Sequence, residues 1–340
     1  MDNLILFGAG ASFGSDDPIR TPPMGGNLFD ALCRFNPGGW GAVPDDFAIQ
    51  FRAEFERGMR AFADARPTDV DVLQRAMAAY FFQFHPGCSS LYIRLAQRIR
   101  PCNWNGALTS LNYERLLELA VREAGLNVVV RQAPGSGGGV ELCLPHGCCH
   151  LFCQIRTKSV TQASGTPEVT VAAQRPAIIK PEKRADGTEV AITLRLARGG
   201  PIAFAPEVQV DSEEIHSIED PDQHAKELRE STIPPVMCYF KPDKDTRAGV
   251  SLIKRQRTRF AELVWDASTV GIIGVKVRPH DGHIWDPLRG TSARIIYCAG
   301  NKAGEEFRCW SGAAGRHSDE VLPSYWAEAF DDLCWRVGLA

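Results

Sequence analysis

Two hydrophobic patterns alternate along the chain. Short apolar-rich runs occur at "NLILF" (3–7), "ALTSL" (107–111), "NVVVRQ" (127–132), "VELCLPHG" (140–147) and "TVGIIGV" (269–275). Runs of this length suit strands buried on both faces of a parallel sheet. Between them, apolar residues recur three and four positions apart, the spacing of an amphipathic helix. Such stretches cover 27–35, 45–65, 70–84, 89–100, 113–125, 249–266 and 324–339. "VMCYF" (236–240), "ARIIYCAG" (293–300) and "EFRCWS" (306–311) carry the pattern on toward the last helix.

Strands alternating with helices, with a glycine turn after the first strand, predict an α/β fold. The form expected is a Rossmann-like, doubly wound, mainly parallel sheet. Residues 45–104 read as a helical insertion between the first two strands. Residues 155–235 change character. There "EVTVAA", "EVAITLRLA" and "IAFAPEVQV", separated by Gly, Pro and Asp, predict a β-rich or partly irregular insertion. The segment "DSEEIHSIEDPDQHAKELRE" within it reads as a solvated helix or a flexible loop. The sheet core is then assembled from 1–44, 105–154 and 236–340.

Composition narrows the function classes. With 44% hydrophobic and 23% charged residues the chain is that of a soluble globular protein, and its net charge of −3 gives no pull toward nucleic acid or anionic membrane. The start "MDNLILFGAGAS" has an acidic residue where a signal peptide carries its positive region, and its apolar run is too short to span a bilayer. A cytoplasmic location is expected, and with it reduced thiols for the 11 cysteines. The tightest group, Cys148, Cys149 and Cys153 in "HGCCHLFC", suits zinc together with His146 or His150. No C-x-x-C pair with a matching second pair accompanies it, so buried thiols are the favoured reading and no metal is expected.

Candidate chemistry gathers where strands end. "NLILF" runs straight into Gly8-Ala9-Gly10-Ala11-Ser12, a turn that lets backbone approach a ligand. The full G-x-G-x-x-G spacing is missing, since position 13 is Phe and Gly14 comes one residue late. No acidic ribose-binding residue follows a second strand, which disfavours a conventional NAD dehydrogenase. A phosphate cradle and an unliganded tight turn both remain open. Asn112, between "ALTSL" and "YERLLELA", taken alone is a helix N-cap. Its place at a strand's carboxyl end, with Thr109 just before it, turns the reading toward a ligand. His146, in "LPHGCCH", also falls at a strand end, where it suits a general base near neutral pH. "GIIGVKVRPHDGHI" ends a later strand at Gly274, and its polar loop brings His280, Asp281 and His283. That loop reads as a surface turn shaped by Pro279 and Asp281-Gly282; two histidines flanking an aspartate suit a metal, but no convincing remaining ligand accompanies them.

In this order, "GAGAS", "TSLNYE", "LPHG" and "GIIGVKVRPHDGHI" resemble the sirtuin-like superfamily, and more narrowly its divergent bacterial branch of NAD⁺ hydrolases, many of them in antiphage defence. The resemblance covers about 1–30, 105–150 and 265–290. It implies that Gly8, Ala9, Gly10, Ala11 and Ser12 hold the phosphates of NAD⁺, which is substrate rather than redox cofactor. It implies that Asn112 orders the ribose and the attacking water, while His146 acts on the ribose hydroxyls as base. Thr109, Glu114, Gly274, Asp281 and His283 are expected to border the nucleotide.

Three departures matter. The deacylase loop Ser-Gly-Ile-Pro-Asp-Phe-Arg is replaced by "FGSDDPIRTPPMGG". The family aspartate two after the asparagine is here Glu114. The paired cysteines of the sirtuin zinc ribbon are absent, which argues against a protein-deacylase role. The expected activity is therefore NAD⁺ glycohydrolysis to nicotinamide and ADP-ribose. NAD⁺-dependent deacylation or ADP-ribosyl transfer, and a non-catalytic NAD- or ADP-ribose-binding assembly subunit, are the alternatives. The resemblance further implies a homo-oligomer, some relatives working with a separate ATPase or an Argonaute-like partner. This chain has no P-loop of its own.

Overall fold

The computed structural model describes residues 1–100, 104–130, 139–153, 211, 215–231, 233–239, 244, 246–278 and 280–339. The three β-like runs expected between 168 and 210 lie outside the described residues. In chain order the elements are β1 (Asn3–Phe7), α1 (Ala9–Phe13), α2 (Gly25–Phe35), α3 (Asp45–Ala53), α4 (Phe55–Ala65), α5 (Val70–Phe82) and α6 (Leu91–Ile99). Next come β2 (Gly106–Ser110), α7 (Leu116–Glu123), β3 (Val128–Val129), β4 (Val140–Cys143), β5 (Leu151–Cys153), β6 (Ile215–Ser217) and α8 (Pro221–Glu230). The chain closes with α9 (Val250–Asp266), β7 (Thr269–Ile273), α10 (Gly282–Gly290), β8 (Arg294–Cys298), α11 (Gly300–Ala313), β9 (Glu320–Leu322) and α12 (Trp326–Arg336).

Seven strands form one parallel sheet in the order β3-β4-β2-β1-β7-β8-β9, and β5 with β6 makes a separate antiparallel pair. The expected α/β class is what the structure has. Side chains of a strand alternate between faces, so each central strand feeds two cores. In β1, Ile5 and Phe7 enter the core under α5, α6, α7 and α12, whereas Leu4 and Leu6 enter the core under α9, α10 and α11. The alternation repeats in β8, with Ile296 and Cys298 on the first side and Ile295 and Tyr297 on the second. All of these are at most 1% exposed, and fully burying one such apolar side chain is worth roughly 1.5–3 kcal/mol. Central parallel strands need this double burial, which is why their sequences read as largely apolar runs.

The chain leaves β1 to one side for β2, then returns on the other side as β7. Register makes Phe7 the partner of both Ser110 and Ile273. Gly8, Leu111 and Gly274 therefore stand together just past the strand ends, at the point where strand order reverses. Open α/β sheets bind ligands at such switch points.

Several local expectations change. The stretch 45–65 is two helices, broken at Glu54, whose extended backbone (φ −158°, ψ 115°) interrupts the helical hydrogen-bond ladder. Among the described residues of "VMCYF" there is no sheet strand: Met237 and Cys238 make isolated bridges, to Gly147 and Thr246, and residue 240 lies outside the described residues. "EFRCWS" is helical, inside α11, and the loop after Gly274 winds into α10 beyond Asp281. Of "NVVVRQ", only Val128 and Val129 pair, and residues 131–132 lie outside the described residues. Among the described residues no helix is long and apolar enough to cross a membrane.

Candidate active site

A cavity of about 400 Å³ opens at the carboxyl ends of β1, β2, β4 and β7. The size is that of a small-molecule site, where volumes run about 300–1,000 Å³. One wall is the sheet edge, with Gly8, Ala9, Ser12, Leu111 to Glu114, His146, Gly274 and Asp281. The other is the loop 22–26 together with Ala53 to Glu56 at the α3–α4 elbow.

The first strand end is tight. Gly274 has a left-handed backbone (φ +64°), and a Cβ on it would meet the Ala11 amide nitrogen at 2.0 Å. A Cβ on Gly10 would meet Gly274 Cα at 2.9 Å. The amides of Gly8, Gly10 and Ala11 donate to Ile273 O, Gly274 O and Gly8 O. The two glycines and the amides of Gly8 and Gly10 thus knit the end of β1 to β7, the Ala11 amide closes the turn on Gly8, and Gly10 and Ala11 stand off the cavity wall. Gly8, Ala9 and Ser12 face the cavity.

Asn112 does not cap the helix after it. The N-cap of α7 is Arg115, and the first-turn amide of Leu116 donates to the Glu114 carboxylate instead. Asn112 Nδ2 turns back to donate to Gly8 O at 3.1 Å and to Ser12 Oγ at 2.8 Å. Because a carbonyl can only accept, the amide nitrogen must face Gly8, which sets the orientation of the whole group. Ser12 Oγ passes its own proton to Glu114 Oε1 at 2.5 Å and sits 2.9 Å from the Tyr92 hydroxyl. The chain Asn112–Ser12–Glu114 is buried throughout. Burial lifts the Glu114 pKa to about 7, even though Ser12 and the Leu116 amide favour its charged form.

His146 follows β4 and is aimed by Gly147, whose φ of +76° and 1.9 Å clearance to Val236 O for a Cβ exclude a side chain. Its Nδ1 donates to Leu111 O at 3.2 Å and its Nε2 lies 2.8 Å from His283 Nε2. Burial, then the charge of Lys244, holds its pKa well below the usual value, so the ring is neutral. His283 stands behind His146, off the cavity wall, and Thr109 is wholly enclosed within the sheet.

Sequence reasoning missed a charged group on the opposite wall. Glu56 Oε1 accepts from Lys244 Nζ, and Glu56 Oε2 pairs with Arg278 Nη1 and faces His280 Nε2 at 3.3 Å. Burial opposes ionisation of Glu56, but Lys244 and Arg278 outweigh it and lower its pKa. His280 and His283 therefore serve different partners. The one signal in the sequence was a carboxylate next to the apolar stripe Phe55, Met59, Phe62 of α4.

Beneath the Asn112–Glu114 segment lies a second buried cluster. The ligand atoms of Cys148, Cys149 and His150 come within 4.8 Å of one another, without Cys153 or His146 among them. Cys148 Sγ points at Tyr113 O at 3.2 Å and Glu114 O at 3.5 Å, which suits a protonated thiol, since carbonyls repel a thiolate. His150 Nε2 lies 3.1 Å from Glu118 Oε2, and Arg115 and Arg122 also pair with Glu118. Burial opposes both charges, yet the Glu118 carboxylate raises the His150 pKa and His150 draws that of Glu118 down to about 2. This cluster anchors α7 and the segment that carries Asn112.

No protein-family model matches the chain, and no curated protein does. Among solved structures, a Sir2 homologue–NAD complex is 13% identical with a TM-score of 0.40, covering 99% of this chain and 91% of the other. Two Sir2 homologue mutants in complex with ADP ribose are each 15% identical, with TM-scores of 0.41 and 0.40, covering 99% of this chain and 92% of theirs. At such scores the reading of the site rests on the residues themselves.

Proposed function

We propose that the chain cleaves the nicotinamide–ribose bond of NAD⁺, releasing nicotinamide and ADP-ribose. The observation that supports this is the meeting of Asn112 and His146 on one cavity at a topological switch point. The nicotinamide leaving group is a pyridinium that becomes neutral as it departs, so what remains to be stabilised is positive charge growing on the ribose. With Nδ2 committed to Gly8 and Ser12, the Asn112 carbonyl oxygen is the part left to face that charge, and a preorganised dipole needs no reorganisation during the reaction. A neutral His146 keeps its one lone pair on Nε2, where His283 now donates; a ribose hydroxyl or a water that takes the place of His283 there can give up its proton to the ring, help worth roughly 10²–10⁴-fold.

The test is incubation of the purified chain with NAD⁺, with nicotinamide and ADP-ribose as readouts. Release without any acylated peptide is expected, and Asn112→Ala should slow it about 10²–10³-fold. Release only in the presence of an acylated peptide would favour deacylation. ADP-ribose binding with no release at any protein concentration would favour a binding subunit.

A further inference from the structure

We propose that Lys244 and Arg278 form an anion subsite of the cavity, and that Glu56 is its internal occupant, displaced when a phosphate or pyrophosphate group binds. The inference rests on the NAD⁺ reading for its physiological ligand, but the subsite is argued from the cavity itself. Lys244, Lys276 and Arg278 all line the wall, and so do Glu54, Glu56, Glu114 and Asp281. As the structure stands, bases and acids roughly cancel, and the wall offers an approaching phosphate little attraction. Lys244 and Arg278 lie nearly two hundred and over two hundred residues from Glu56 in sequence, yet both close on its two oxygens. A carboxylate that engages one cation through each oxygen is the nearest side-chain imitation of a phosphate held by the same pair.

Burial makes the exchange reciprocal. Lys244 is 4% exposed and Glu56 is 7% exposed, so neither charge is stable without a counter-charge. A phosphate entering the cavity can supply that counter-charge only by taking the cations from Glu56. The carboxylate sits in the first turn of α4, two residues past the break at Glu54 and on the cavity side of the elbow. Lys244, one of the two cations, is also the only non-glycine described residue with positive φ (47°). Such a backbone is held by its surroundings, consistent with a residue fixed for a contact. Anion binding then releases α4 from the loops carrying Lys244 and Arg278.

Calorimetry with inorganic pyrophosphate, and separately with ADP-ribose, tests this on the full chain. Glu56→Gln should tighten pyrophosphate binding about tenfold or more, and Arg278→Gln should weaken it by at least as much. Glu56→Gln leaves two cations without their carboxylate, and a variant that does not fold gives no reading. In that case Arg278→Gln decides alone, because Lys244 keeps Glu56 engaged there. Pyrophosphate affinity unchanged in Arg278→Gln, or weakened in a folded Glu56→Gln, overturns the subsite. If pyrophosphate responds as expected while NAD⁺ is neither bound nor cleaved, the subsite stands and the NAD⁺ reading fails. If NAD⁺ is cleaved while pyrophosphate ignores both substitutions, the subsite alone fails.

Discussion

The Nε2 atoms of His146 and His283 face each other at 2.8 Å, and their protonation follows from the neighbours. Leu111 O only accepts, so His146 carries its proton on Nδ1 and leaves Nε2 bare. The proton between the two rings therefore belongs to His283. Burial, then Arg257 and Lys244, hold His283 neutral, with its pKa down at about 3. Unfolded, the same ring protonates below about 6.5. The unfolded state thus binds the extra proton first, and stability falls as pH drops from 6.5 toward 3. His283→Asn keeps a donor for His146 but cannot titrate, so thermal unfolding across that range should show a flatter acid arm. Nitrogen NMR of the wild type should report an Nδ1–H tautomer for His146. Identical acid arms in the two proteins, or an Nε2–H tautomer, would sink this account.

Glu114 works in the opposite direction. Burial raises its pKa from 4.5 to about 7, so the folded state prefers the protonated acid. Stability from this group is complete below pH 4.5 and is lost as pH rises through 7, the full difference being worth about 3 kcal/mol. Glu114→Gln mimics the protonated form. The stability gap between variant and wild type should shift in favour of the variant between pH 5 and 8, measured by urea unfolding. A gap that is constant with pH would mean that Glu114 keeps an ordinary carboxylate pKa in the fold.

How much of this was legible in sequence depends on the kind of contact. The sheet was legible because its central strands are buried on both faces and are largely apolar, and Leu4 to Phe7 are all 0% exposed. Gly8, Asn112, His146 and Gly274 were legible as strand ends, which is a local property. The partners of Asn112 were not. Its capping role passed to Glu114, and its amide turned to Gly8 and Ser12, a hundred residues away. Gly10 looked like a ligand-facing glycine but serves the close approach of two strand ends, and Gly274 serves that approach while also lining the cavity. Glu56, Lys244 and Arg278 carry no shared spacing, and only the fold brings them together.

Asn112→Asp separates the hydrogen-bonding role of this residue from its size. A carboxylate cannot donate to Gly8 O, and it would sit beside Ser12, whose proton is already given to Glu114. Two acceptors are then left facing each other in a buried site, which costs about 1–3 kcal/mol of stability. Asn112→Ala leaves Gly8 O without its donor but introduces no repulsion, so it should be the more stable of the two. Under the proposed reaction, both should lose about 10²–10³-fold in the rate of nicotinamide release, the range typical of a deleted preorganised dipole. ADP-ribose affinity should change by only a few-fold in Asn112→Ala. An alanine variant less stable than the aspartate variant would show that Nδ2 is not the group facing Gly8.

Gly274→Ala tests whether the β1–β7 junction holds the site together. The residue has φ +64°, and the added Cβ would lie 2.0 Å from Ala11 N and 2.4 Å from Gly10 C. Both are backbone atoms, so no side chain can swing aside, and the left-handed backbone adds roughly 1–2 kcal/mol of its own. Relief requires α1 to move off β7, which strains the Gly10 N bond to Gly274 O and shifts Gly8 and Ser12 away from Asn112. The expected loss is about 2–4 kcal/mol in urea unfolding. ADP-ribose affinity should fall at the same time, even at temperatures where the variant is fully folded. Gly271→Ala, in the middle of β7, is the control: its Cβ meets the Val337 side chain at 3.1 Å rather than backbone. A smaller stability loss with ligand affinity intact is expected there. If both variants lose affinity equally, the junction has no special hold on the site.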